Sequence, residues 1–571
     1  MKEIRGMWMN AREEALKITM SVLFDGCFLN DALKKVSVNE HTAFVTRLSK
    51  MTVERSITLD FAIEKASNIK LDKLDRLILG ILRISVCQLL YFDIRPAAVC
   101  DEAGKLSSKV NHGAYTGYVN AVLRNISERA GQNKNYIAEL TRSLPAEKRM
   151  SINYSMPQWI VSLFIKEYDE KTAARIFKQF LAEKPLCVRF SEKNYRLYKE
   201  KASEKEYMPG EVKTSEKEYV PGEGKTSEKD GALENELIEE YILELKEKGI
   251  SARKGNYAPC ALYLEGYSSV TEIPGFDEGV FLVQDESSQV AVYTAAKVFE
   301  SMQVNAAGKA SENEGKAAGK AFENEGKAAG KTSENEGNAA GKVSENEGKT
   351  ADKGMRGEEN EKNFPENTIN ALDMCACPGG KTVYLAELLE KMVKEGKASR
   401  NKVKISARDL YEEKLAVLKE NCSRMKVDCV QAKKQDGTVY VPSDEGVYDI
   451  IIADLPCSGL GVIGKKPDIK LRVKEEDIRE LSLLQRKILD NAVRYLKKGG
   501  LLIYSTCTLT SLEDERNAEY ISNSLKLNKT DLRTVLPKYL KEARGAEDGH
   551  IRLDPDKNRT DGFFISAFIK P

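Results

Sequence analysis

Six short apolar runs occupy the chain from about residue 366 onward, at Ile369–Leu372, Val403–Ala407, Asp428–Ala432, Asp449–Ala453, Leu501–Ser505 and Phe563–Ile569. Amphipathic stretches such as Thr382–Lys391 and Glu412–Met425 separate them. Strand and helix in alternation admit few architectures, and the usual one is an open α/β sheet with helices on both faces. In such sheets ligands sit beyond the carboxyl ends of the strands. The distinctive polar residues fall at those ends. Cys375-Ala376-Cys377-Pro378-Gly379-Gly380-Lys381 follows the first run, and Asp409 and Asp436 follow the second and third. Asp454 and Cys457 follow the fourth, within Asp454-Leu455-Pro456-Cys457-Ser458-Gly459-Leu460-Gly461, and Cys507 follows the fifth.

A chain of 571 residues exceeds one ordinary core, so several domains are expected. Residues 1–135 carry apolar positions at helical spacing, as in Ala15-Leu16-Ile18-Thr19-Val22-Leu23 and Leu74-Leu77-Leu79-Ile81-Leu82-Ile84, and read as an all-α bundle. Its basic residues Lys105, Lys109 and Arg124 suit a solvated helix face or an RNA backbone. Residues 145–300 read as a linker with a small α/β region, where Pro185–Phe190, Ala261–Leu264 and Val280–Val283 are strand-like. Arg189 in the first of these is a further candidate for RNA contact, and Gln284–Gln289 caps a helix or leans on a cofactor. Two low-complexity insertions interrupt the chain. In 201–230, copies of a unit opening Ser-Glu-Lys begin at Ser203, Ser215 and Ser227; in 305–362, Ala-Ala-Gly-Lys recurs from Ala306, Ala317, Ala328 and Ala339. Neither has the apolar side chains to offset chain entropy, so both are expected to be disordered tethers. The catalytic unit is then 366–571.

Net charge is +1, so the total does not by itself point to nucleic acid. Eleven cysteines, odd in number and scattered, fit a reducing compartment better than a disulfide framework. No uncharged apolar run follows the first residues and none approaches the ~20 residues of a membrane span, so a cytoplasmic location is expected.

The glycine pair Gly379-Gly380 lets backbone approach a ligand at a helix N-terminus. Asp409 is placed for ribose hydroxyls and Asp436 for an adenine amino group. With no lysine–serine phosphate cradle in the loop, S-adenosylmethionine fits this pattern better than ATP or a dinucleotide. Cys375-Ala376-Cys377 has the wrong spacing for a zinc site and the three histidines lie far away, so no metal is expected. Two cysteines at neighbouring strand ends suggest thiolate chemistry on a base. Carbon 5 of cytosine is a poor nucleophile until a thiolate adds at C6, and a second group must then help release the product. Asp454 is placed to hold the N3/N4 edge of the base. The base must be unstacked, which favours a single-stranded loop. The residues by themselves do not choose which cysteine attacks.

Together the runs Asp373–Lys381, Asp454–Gly461, Tyr504-Ser505-Thr506-Cys507-Thr508 and Asp561-Gly562-Phe563-Phe564 closely resemble the RNA cytosine-C5 methyltransferases. Arg95-Pro96-Ala97 and Tyr118–Leu123 in front resemble a NusB-type RNA-binding domain, and the two together resemble the Sun-type methyltransferases of bacterial 16S ribosomal RNA. The resemblance implies a Rossmann-like class I catalytic domain. It implies Cys507 as nucleophile, Cys457 in product release, and Cys375 to Lys381 with Asp409, Asp436 and Asp454 around S-adenosylmethionine and the base. It also implies a 16S ribosomal RNA substrate, and a monomer is favoured. Cys377 stands where that family more often has alanine, and Leu455 where it has a smaller residue. The same chemistry on transfer RNA, or a non-catalytic assembly factor, are the competing readings. Intact cysteines and an intact loop argue against the latter. Deleting Asn305 to Lys353 is expected to leave methyl transfer to RNA nearly unchanged; a large loss would refute the tether reading.

Overall fold

The computed structural model describes residues 11–36, 41–133, 135–206, 227–305 and 367–571. The helical front is built around the helix Arg76–Tyr91. Its Asp75 N-cap accepts from the amides of Leu77 and Ile78, and ten of its sixteen residues are buried. A helix apolar on nearly every side must be covered all round. The helices Ala11–Leu23, Thr42–Glu54, Ser56–Ala66, Pro96–Ser108 and Thr116–Gln132 supply that cover. Pro96 opens its helix, where a missing N–H costs nothing.

Four shorter helices, Tyr136–Thr141, Ala146–Asn153, Gln158–Glu167 and Glu170–Phe180, lead to a small antiparallel sheet. Its strands β1 (Leu186–Phe190), β2 (Ser251–Lys254), β3 (Ala261–Glu265) and β4 (Phe281–Val283) lie in the order β2-β3-β1-β4. Arg189 is not an RNA contact. It is 1% exposed, ion-paired with Glu387 and stacked over Tyr384, and it fastens this sheet to the helix Gly380–Lys394. A guanidinium buried that deeply persists only when paired. Lys105 pairs with Asp101 and Glu102, and Lys109 with Glu13, as on a solvated helix face. The bulk of the two repeat insertions, 207–226 and 306–366, lies outside the described residues. Helices Glu192–Glu206 and Ser227–Glu247 run into the first repeat from either side. Glutamate, lysine and alanine extend an already nucleated helix readily.

The C-terminal sheet joins β5 (Thr368–Asp373), β6 (Lys402–Asp409), β7 (Val430–Lys434), β8 (Tyr448–Asp454), β9 (Leu496–Thr506), β10 (Asn528–Lys529), β11 (His550–Leu553) and β12 (Phe563–Ile569). Their order is β10-β12-β9-β8-β5-β6-β7, with β11 on β12. Strands β5 to β9 run parallel, whereas β12 is antiparallel to β9. Helices Gly380–Lys394 and Glu412–Arg424 and the helix 286–305 cover one face, and helices Glu475–Tyr495 and Glu515–Asn523 the other. This two-sided burial explains why β8 reads as a continuous apolar run. No helix among the described residues is long and apolar enough to cross a membrane.

The bundle meets the catalytic domain at the segment Asp468–Arg472. Asp468 accepts from the Leu29 amide at 3.1 Å. Arg472 donates to the carbonyls of Gly26 and Cys27 and lies over the Phe28 ring. Lys470, 1% exposed, donates to the Glu54 carbonyl at 2.7 Å. Burial pulls the Lys470 ammonium down to about 7, against the nearby Glu54 carboxylate. Its folded pKa lies below its ordinary 10.5, so the unfolded chain binds more protons between those values and stability from this site rises with pH across that window. Relative to Lys470→Met, the wild type is expected to gain melting temperature as pH rises from about 7 to about 9.5. Parallel pH profiles for the two proteins would contradict the buried ammonium.

Candidate active site

The tips of β8, β5, β6 and β7 are consecutive in the sheet, so their loops form one rim. The loop after β5 is tied to its neighbour: the Ala376 amide donates to the Arg408 carbonyl at 2.8 Å, and the Cys377 amide to an Asp409 carboxylate oxygen at 3.3 Å. The other Asp409 oxygen takes the Tyr411 amide. Gly379 has φ of 102°, a left-handed conformation that suits glycine, and it turns the chain into the helix beginning at Gly380. Asp436, two residues past β7, accepts from the amide and hydroxyl of Thr438. Asp373 is buried and accepts from Thr382, and burial pushes its carboxyl up to about 6.

Lys381 leaves this loop toward the next strand tip. Its ammonium meets Asp454 at 2.6 Å and lies over the Phe563 ring. Burial pulls its pKa down, but the carboxylates of Asp454 and Asp373 more than offset that and hold it above its ordinary value. The second Asp454 oxygen accepts from Ser505 at 2.8 Å. Asp454 and Ser505 are partners in the parallel β8–β9 register, so the turns that follow them lie side by side. The sulfurs of Cys457 and Cys507 are 3.3 Å apart. The hydrogen bond with Cys507, then burial, keep the Cys457 thiol well above its usual range.

The two cysteine turns also meet the C-terminal strand. The Gly461 amide donates to the Cys507 carbonyl at 3.1 Å, and the Gly562 amide to the Gly461 carbonyl at 2.9 Å. A Cβ on Gly461 would stand 2.2 Å from the Gly562 carbonyl oxygen. Beside this junction Lys465 pairs with both Asp285 and Asp561, and Lys184 reaches Asp561 at 3.0 Å. Asp285 is thus committed to protein contacts, and the Lys465 ammonium holds its carboxyl at about 2 despite burial. From the same segment Gln284 packs against Gly380 of the glycine loop.

Sequence reasoning brought together Cys375, Ala376, Cys377, Pro378, Gly379, Gly380, Lys381, Asp409, Asp436, Asp454, Cys457 and Cys507, and all lie on this rim or the tip next to it. It did not foresee that Lys381 and Lys465 neutralise aspartates, nor the polar residues beneath the cysteines. Lys381 was legible as part of the loop, but nothing in spacing pairs it with a residue 73 positions away. The rim suits a ligand with cationic groups, ribose hydroxyls and no polyphosphate: carboxylates end three adjacent strands, a fourth lies two residues past β7, and a glycine loop opens a helix. Among the described residues no group of three or more His, Cys, Asp or Glu is placed to hold a metal ion.

Residues 363–569 match the family model described as 16S rRNA methyltransferase RsmB/F, and residues 9–128 match the NusB family. The chain thus carries an RsmB/F methyltransferase domain behind a NusB-family domain. RsmB/F methyltransferases are S-adenosylmethionine-dependent enzymes, and the rim carries residues suited to that cofactor. The probable ribosomal RNA small subunit methyltransferase B of Bacillus subtilis is 24% identical over 98% of both chains. The ribosomal RNA small subunit methyltransferase B of Photorhabdus laumondii is 24% identical over 98% of this chain and 99% of its own. That of an Enterobacter species reaches 35% over 36% of this chain and 43% of its own. The crystal structure of PH0851 shares the fold, with a TM-score of 0.62 and 21% identity over 99% of this chain and all of that one. Gly461→Ala is expected to destabilise this methyltransferase by about 3 kcal/mol, because the new methyl has only backbone to displace. Urea unfolding measures it, and a wild-type midpoint would contradict the close approach.

Proposed function

We propose that this protein transfers a methyl group from S-adenosylmethionine to C5 of a cytosine in small-subunit ribosomal RNA. The observation that carries the reading is the pair of cysteine sulfurs 3.3 Å apart beside the Asp454–Lys381 ion pair. The relatives named as ribosomal RNA small subunit methyltransferases support the substrate, and the NusB-family front end supports an RNA partner. A single-stranded loop fits because the base must leave its stack.

In this reading the Cys507 sulfur adds to C6 of the ring as the nucleophile, and Cys457, whose sulfur lies 3.3 Å away, is left for the release step. The C6=C5 electron pair moves toward C5 as the carbon–sulfur bond forms. Asp454, fixed by Ser505 and Lys381, accepts from the N4 amino edge of the base and holds the ring in place for the addition. S-adenosylmethionine, when bound, supplies the electrophilic methyl. The residues Cys375 to Lys381 with Asp409 and Asp436 hold that cofactor. Cys457 then assists loss of the C5 proton, and elimination breaks the C6–sulfur bond and restores the base.

Cys507→Ala is expected to reduce methyl transfer to background. Cys457→Ala is expected to accumulate a covalent RNA–protein adduct, seen as a slowed band on a denaturing gel with labelled RNA. An adduct in the Cys507 variant instead would reverse the two roles. Sequencing of bisulfite-treated ribosomal RNA from cells with and without the protein tests the substrate.

A further inference from the structure

Glu513 lies beneath both cysteine turns and is fully buried. One of its oxygens accepts from the Ser458 amide at 2.8 Å and from Gln485 at 3.2 Å. The other accepts from the Ser458 hydroxyl at 2.6 Å and from Thr510 at 2.9 Å. Ser458 directly follows Cys457. Its hydroxyl, having donated to Glu513, accepts from Thr508 at 2.7 Å, and Thr508 directly follows Cys507. Gln485 also donates to the Pro456 carbonyl at 2.9 Å, on the other side of Cys457. Thr506, on the other side of Cys507, donates to Asp514, which pairs with Arg552. Each cysteine is therefore gripped at both neighbours, and Glu513 is the group whose bonds reach both turns. Four donors on one buried carboxylate satisfy it, which such a group requires.

We infer that Glu513 is a positioning residue that sets the separation of the Cys457 and Cys507 sulfurs through Ser458 and Thr508. It touches neither sulfur, so it acts through the backbone on either side of them. This rests on the methyltransferase reading only for what the sulfurs do; their separation is a property of the protein alone. Leucine at this position keeps most of the volume but offers no acceptor. The Ser458 amide, Gln485 and the two hydroxyls then lose the group that joins them, and the turns part. A misplacement of about 1 Å at reacting atoms costs roughly a hundredfold in rate.

The test uses the full chain and dibromobimane, which bridges two thiols only when they are neighbours. Mass spectrometry of the digested protein measures the yield of peptides bridged between Cys457 and Cys507. Glu513→Leu is expected to lower that yield about tenfold and kcat about a hundredfold, with KM for RNA and calorimetric affinity for S-adenosylmethionine within about threefold of wild type. A folded Glu513→Leu protein that bridges like wild type overturns the inference. If that variant does not fold, Ser458→Ala and Thr508→Val, which cut the link without stranding a charge, take its place. The same loss of bridging supports the inference and wild-type bridging overturns it. Should the wild type methylate no RNA, the bridging yields still decide the role of Glu513, so the two failures are separable.

Discussion

The site depends on the parallel pairing of β8 with β9. Asp454 opposite Ser505 fixes where both strands end, and the Leu455 amide extends the ladder one step further by donating to the Ser505 carbonyl. Adjacent strands lie about 4.8 Å apart, so turns leaving neighbouring tips are within side-chain reach. A slip of one residue would turn every side chain of β9 to the opposite face. Parallel strands need a long crossover, and the helix Glu475–Tyr495 supplies it while also delivering Gln485 beneath the Cys457 turn.

The same turn couples the catalytic end of the sheet to the rest of the molecule. Leu460 and Ile463 follow Cys457, and Leu509 follows Cys507. All three pack into one apolar cluster with Phe164, Phe177 and Phe180 of the linking helices. A few residues later Asp468, Lys470 and Arg472 engage the helical bundle. The bundle is thus seated on the chain segment that follows Cys457. Buried ions at this seam favour one docking geometry, since any other leaves a charge unpaired.

Sequence by itself determined a good deal. Apolar periodicity marked the helical bundle and the six main strands of the catalytic sheet, because alternating strand and helix leave an unmistakable pattern of burial. The glycine pair, the strand-end aspartates and the two cysteines were legible because each answers to a local rule: backbone approach, strand termination, or a polar residue after an apolar run. Tertiary structure alone decided what joins distant positions. The antiparallel direction of β12 and the short strands β2, β10 and β11 follow from edge pairing, which has weak local signal. The pairing of Lys381 with Asp454, the commitment of Asp285 to Lys465, and the burial of Arg189 against Glu387 all depend on which loops the sheet order brings together. So does the grip of Glu513 on two turns whose cysteines stand fifty residues apart. A charge in a sequence shows no burial and no partner, and only the fold supplies both.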